Sequence, residues 1–162
     1  MSSKEEKSRD KLIYEIIVDR FDQEWKRTND LDSKASNVMG FAGLLATLSG
    51  GITAGITELL PQMQYKCLFV IPLIVFVLSA VFGLLAYWLT SFSAIDPDAM
   101  IREYAHRTET EVLRTFVATT SILTMHNFQR NQRKVKWLYL AFLLLVLAIG
   151  LFFAIIIVNM MI

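Results

Sequence analysis

One carboxylate, Glu58, stands inside an otherwise uncharged apolar run, and the residues that share its helical face are small or hydroxylated. Wound at 100° per residue, the stretch 36–60 places Ser36, Gly40, Gly43, Thr47, Gly50, Gly51, Ala54 and Glu58 on one stripe. Phe41, Leu45, Leu48, Ile52, Ile56 and Leu59 fall on the opposite face. Two chemistries use such a stripe. Small residues let helix backbones approach closely. Alternatively, hydroxyls, glycine backbone and a carboxylate line a wet axis that a monovalent or divalent cation traverses. In the second case Gly40, Gly43, Thr47, Gly50, Gly51, Ala54 and Glu58 line a pore, with Glu58 as a ring at the outer mouth. Asp30 and Asp32 then add acidic charge at the inner mouth. Glu58 lies within a turn of the surface, so a carboxylate that merely reaches the headgroup region is the competing reading.

Nothing in the sequence points to an enzyme. His106 and His126 have no HExxH-type or Cys/His arrangement around them. The glycines at 40–55 lie inside an apolar run rather than in a phosphate-binding loop, and there is no nucleophile elbow. No metal site, no cofactor and no nucleic-acid partner is expected. His126 beside Asn127 reads as a polar pair on the face of a helical bundle. Cys67 is a lone cysteine, which leaves no disulfide framework and suits a structural thiol.

The elements that position the stripe follow from composition. Hydrophobic residues make up 54% of the chain, the mean hydropathy is +0.45, and the apolar residues are concentrated in runs. Residues 67–92 and 137–162 contain no charge, and each is long enough for roughly 39 Å of helix. With 36–60 they give three membrane spans. The predicted fold is an all-α integral membrane protein, read as one folding unit, with three transmembrane helices and a cytoplasmic helical stalk or hairpin. Its segments are a cytoplasmic amphipathic helix at 1–35, spans at 36–60, 67–92 and 137–162, an external turn at 61–66 and a cytoplasmic helical segment at 93–136. The charges set the orientation. Of 16 Lys and Arg, eight lie in 1–35, seven in 93–136, and Lys66 alone lies in the 61–66 turn. The positive-inside rule then puts the N-terminus in the cytoplasm and Ile162 outside, in a multi-pass protein of the cell membrane.

Ser3-x-x-Glu6 has the pattern of a capping box opening a helix. Leu12, Ile13, Ile16, Ile17, Phe21 and Trp25 then fall on one helical face. No strong breaker stands between Asp10 and Met39, so the helix is expected to run into the first span and to form a coiled-coil stalk about 30 residues, roughly 45 Å, long. A helix lying on the membrane surface is the alternative, weakened by a polar face of mixed sign. Residues 97–136 lack further Pro and Gly, yet both ends must reach one membrane surface. The reversal is placed near Arg107, where Thr108-x-x-Glu111 offers another capping box. The returning helix carries Val112, Leu113, Phe116, Val117, Thr120, Leu123 and Asn127 on one flank, suited to the apolar face of the N-terminal helix. Arg130, Arg133, Lys134 and Lys136, followed by Trp137, form a basic and aromatic collar that anchors the last span at the cytoplasmic interface.

The stretch Leu31-Asp32-Ser33-Lys34-Ala35-Ser36, entering a small-residue span, resembles the entry to the first span of small prokaryotic transmembrane effectors of the Pycsar type and, more loosely, the SLATT type. The polar and basic run Asn127 to Lys136 before a last uncharged span is similar in style. The resemblance covers about a third of the chain. It implies oligomeric membrane proteins that open or perturb the membrane after a cytoplasmic cue, often a cyclic nucleotide. Three spans and the lack of an obvious sensor pocket depart from that pattern. The expected function is therefore a homo-oligomeric, cation-preferring ion channel or pore, in contact with membrane lipid and gated through its cytoplasmic helices. The alternatives are a non-conducting signalling or structural membrane subunit and a defence-type membrane-perturbing effector.

Overall fold

The computed structural model describes residues 3–59, 66–88 and 106–161, together with 93, 94, 96, 98, 102 and 104; at 3–7, 56–59, 66 and 161 it describes the backbone alone. The Ser3/Glu6 capping box, the Glu58 carboxylate and most of the external turn lie outside the described residues or side chains. Helix α1 spans Ser3–Leu59, a 3-10 turn covers Lys66–Phe69, α2 spans Val70–Trp88 and α3 spans Glu109–Met161. There is no strand among the described residues. Three helices are long and apolar enough to cross a membrane. Helix α1 runs unbroken because the chain has no proline before Pro61 and no glycine before Gly40, and no described glycine adopts positive φ.

The single folding unit expected from length divides into two compact units, 1–30 with 91–132 and 31–90 with 133–162. In the first, the early part of α1 pairs with the early part of α3. Contacts rise together along both helices, so the two run parallel. Arg114 Nε donates to Asp10 Oδ2 at 3.1 Å, the rings of Tyr14 and Phe116 lie 5.3 Å apart, and Thr28 Oγ1 lies 3.1 Å from Asn131 Oδ1. On α3 the buried Thr120 and Asn127 stand seven residues apart, as in a helical seam, and Asp10 and Thr28 are buried on α1. Of the α3 flank expected to pack on the N-terminal helix, Phe116 meets Tyr14, but the apolar face of α1 expected to receive it stays largely open, with Leu12, Ile13, Ile16 and Trp25 exposed.

Helix α3 begins where its capping box predicts. Arg107 N–H donates to the Tyr104 carbonyl at 3.0 Å, turning the chain. Thr108 N–H and hydroxyl donate to Glu111 Oε2 at 3.1 and 3.0 Å, while the Thr108 carbonyl accepts from Val112 N–H. These two hydrogen bonds, with Arg107 nearby, lower the pKa of the Glu111 carboxyl. Upstream, Asp96 Oδ1 accepts from Asp98 N–H at 3.0 Å, as an N-capping carboxylate does.

In the second unit the core is Ala42, Phe76, Leu145 and Ala148, joined by Val38, Leu45, Ala46, Val75, Ala80 and Ile149. Small residues set the helix spacing. Ala35, Ala42 and Ser49 on α1, Ala141 and Ala148 on α3, and Ser79 and Gly83 on α2 are buried. The Ser79 hydroxyl donates to the Ala141 carbonyl across two helices at 2.7 Å. Phe69 packs edge-on against Phe152 at 6.0 Å, and Phe82 stacks on Trp137 at 5.5 Å. The outward positions of α2 and α3 are large and apolar, including Ile74, Val77, Phe142 and Leu147.

Candidate functional site on the first helix

The apolar half of α1 has three faces rather than two. Ala35, Ala42 and Ser49 are buried, with Val38 and Leu45 beside them, and this face packs on the other two helices. Phe41, Leu44, Leu48 and Ile52 form an exposed, large apolar face. Leu45, expected on that face, turns inward. The third face is the small-residue stripe. Gly40, Gly43, Thr47, Gly51 and Ala54 are exposed and Gly50 is half-buried. A Cβ built at Gly40, Gly43, Gly50, Gly51 or Gly55 meets nothing within 4 Å. Gly83 behaves in the opposite way: its Cβ would stand 2.7 Å from Met39 Cγ and 3.6 Å from the Ala35 carbonyl oxygen. Within one chain, close helix approach therefore uses Gly83 and the alanines, while the α1 glycines have open space beside them.

The stripe is uneven. Thr47 Oγ1 donates to the Gly43 carbonyl at 3.0 Å, satisfying its proton within the helix and leaving oxygen lone pairs outward. Thr53 does the same with Ser49 at 2.7 Å. Gly43 also borders an apolar gap of about 300 Å³ between α1 and α2, lined by Met39, Ala46, Phe76 and Val77 among others.

The acidic and basic residues around the start of the span separate into paired and free groups. Asp30 is exposed. Asp32 is committed: its Oδ1 accepts from Lys134 Nζ at 2.7 Å, and the Lys134 side chain is only 3% exposed. The basic collar is thus divided. Lys134 faces inward as the buried partner of Asp32, Arg130 donates to Ser93 Oγ at 3.1 Å, and Arg133 and Lys136 are exposed. Trp137 stacks on Phe82. His106 and His126 are both exposed, and Asn127 pairs elsewhere: its Oδ1 accepts from Ser93 N–H at 3.1 Å and its Nδ2 donates to the Ser93 carbonyl at 3.2 Å.

A polar layer in the first unit has no counterpart in the sequence reading. Asn131 Nδ2 donates to Glu24 Oε2 at 2.8 Å, Thr28 Oγ1 contacts both Asn131 Oδ1 and the Glu24 carbonyl, and Arg27 lies 3.5 Å from Glu24 Oε1. The signal that would have found it is the seven-residue spacing of Thr28 with Ala35 and Ala42, and of Asn127 with Lys134 and Ala141.

No protein-family model, curated protein or solved structure matches this chain. Among the described residues no three His, Cys, Asp or Glu side chains come together as metal ligands would. What the α1 stripe offers is hydroxyl oxygen and accessible backbone along the otherwise apolar half of that helix.

Proposed function

We propose that the chain is one subunit of a homo-oligomeric, cation-preferring channel of the cell membrane, with the small-residue face of α1 toward the axis. The observation that carries this reading is the open space beside Gly40, Gly43, Gly50 and Gly51, set against the tight contact at Gly83. If those glycines served packing within the chain, side chains of α2 or α3 would stand against them. A face of glycine, alanine and threonine has little to gain from lipid, whereas the neighbouring Phe41/Leu48/Ile52 face suits it. A symmetric ring places the same small face of each copy around one axis. Glu58 carboxylates at the outer mouth and Asp30 at the inner end favour cations. Asp32, neutralised by Lys134, contributes less to that field than its charge alone suggests. The charge asymmetry places the N-terminus in the cytoplasm and the end at Ile162 outside, and the resemblance to small prokaryotic effectors fits gating from the cytoplasmic side.

A second reading, in which the stripe joins copies without conducting, is favoured by one observation: the Thr47 hydroxyl proton is already spent on the Gly43 carbonyl. Purified protein in liposomes separates the two. The channel reading expects an oligomer that passes K⁺ or Na⁺ over Cl⁻, with the preference weakened by Glu58→Gln. An oligomer of unchanged mass that carries no flux across a range of voltage and pH favours the non-conducting subunit.

A further inference from the structure

We propose that the open flank of the first unit is a seam between copies of this chain, joined head to tail. The inference rests on the oligomeric reading above and adds the surface that holds the ring together. On one flank of the α1–α3 pair, Asn127 and Arg130 hold Ser93. The other flank is an open groove of about 660 Å³ whose walls include Ile16, Arg20, Glu24, Ser121, Met125 and Phe128. Ile16, Met125 and Phe128 remain 50%, 63% and 44% exposed, in the part of the chain richest in charge. Contiguous apolar exposure of this kind on a water-facing unit marks an interaction surface.

Charge identifies the occupant. Glu24 in the groove is neutralised, with Arg27 at one oxygen and Asn131 at the other. Arg20 has no ion-pair partner among the described residues, so the groove carries its uncompensated positive charge. The same stretch of α1 carries the complement. Glu15, Asp19 and Asp22 follow i, i+4, i+7 spacing, form one exposed stripe, and make no described ion pair. The centre of that stripe is turned about 130° from the groove around the helix axis. Asp19, at its near edge, accepts from Gln23 of the groove wall at 2.8 Å, and Arg20 pairs with none of the three acids among the described residues. Lys11 and Lys26 flank the stripe along the helix without separating its acids. Groove and stripe also lie at the same level of α1, the condition for two copies inserted alike in one membrane to meet. Different patches meeting at equal height make a heterologous contact, which closes a ring when its rotation divides a full turn.

The test uses the full chain with Cys67→Ser. Two differently tagged chains are co-expressed, one with Met125→Cys and the other with Asp22→Cys, and oxidised in the membrane. Disulfides between the two tags should form at least fivefold above those in Met125→Cys or Asp22→Cys expressed alone. Arg20→Glu should lower that yield at least threefold, and adding Asp19→Arg should restore most of it. Cross-linking is scored only in protein of native oligomer mass, so a misfolded variant does not count. An intact oligomer with no excess cross-link, or with Met125→Cys chains linked to each other, overturns the head-to-tail seam and leaves the oligomer standing. A wild-type protein that is monomeric by mass overturns both.

Discussion

Thr120 is 1% exposed, and its hydroxyl finds no hydrogen-bond partner among the described residues. A buried hydroxyl left in that state costs about 1–3 kcal/mol in lost hydration. Thr120→Val keeps the shape and removes the polar atom, so we expect unfolding in detergent micelles, followed by circular dichroism, to shift toward stability by about 1 kcal/mol. A destabilised variant would mean that the hydroxyl holds a water or a second chain. Lys134 presents the reverse case, a buried charge that is answered. Lys134→Met leaves the Asp32 carboxylate facing an apolar group, an error of about 3–5 kcal/mol for a fully buried pair and less here, since the Asp32 side chain keeps 20% exposure. Lys134→Met combined with Asp32→Leu should recover most of the loss; a double variant no better than the single would show the two charges to be uncoupled. Glu111 gives a pH dependence whose sign follows from its hydrogen bonds. Its folded pKa lies below the ordinary 4.5, so the cap it forms is fully present above that value and is lost as pH falls through the lowered pKa. Amide exchange at Val112, whose N–H is held by the Thr108 carbonyl, should stay protected at neutral pH and open in acid. Glu111→Gln should flatten that dependence.

At the scale of the helix, one residue type serves two ends. Gly83 on α2 lets a neighbouring helix approach, while the α1 glycines leave open space. Gly83→Val should cost the fold about 1–3 kcal/mol through overpacking against Met39. Gly40→Ala and Gly51→Ala meet no neighbouring atom and should raise the chain's own stability by up to about 1 kcal/mol through helix propensity, so any loss caused by these alanines must appear in assembly. Equal cost at Gly83 and Gly51 would remove the distinction. Element limits were legible in the sequence because they depend on local chemistry: α1 is continuous because no proline precedes Pro61, and α3 starts after Thr108 because Thr and Glu cap it. The parallel register of α1 on α3 was not. Periodicity says which face is apolar, not which helix meets it or at what height. Polar seam residues such as Thr28, Asn131 and Lys134 look solvent-facing by type. Lys134 in particular is hidden among Arg130, Arg133 and Lys136, and only its seven-residue spacing from Asn127 and Ala141 marks it as inward. Likewise Leu45 was assigned to the lipid face because a two-face reading of α1 has no place for the third, buried face.

For the whole molecule, function turns on which surroundings the three faces of α1 meet. The buried face is accounted for by α2 and α3. The other two differ in chemistry, and an oligomer in a bilayer offers two environments besides protein: lipid and a wet axis. Single cysteines in a Cys67→Ser background report on each. Under the channel reading, Thr47→Cys should react with small charged thiol reagents in the assembled protein, because the stripe meets water. Leu48→Cys and Ile52→Cys, one helical face away, should not react, since thiols in hydrocarbon neither ionise nor meet a charged reagent. Reaction at Thr47 should also be faster with cationic than with anionic reagents, because a ring of Glu58 carboxylates raises the local concentration of cations at a narrow mouth. Glu58→Gln should remove that preference while leaving the uncharged part of the reaction in place. If Thr47→Cys stays protected in an oligomer of native mass, under conditions that pass ions as well as at rest, ions take another route and the stripe joins copies instead. Reactivity at Thr47 equal to that at Leu48 would mean that the two exposed faces share one environment, and neither the axis nor the lipid assignment would stand.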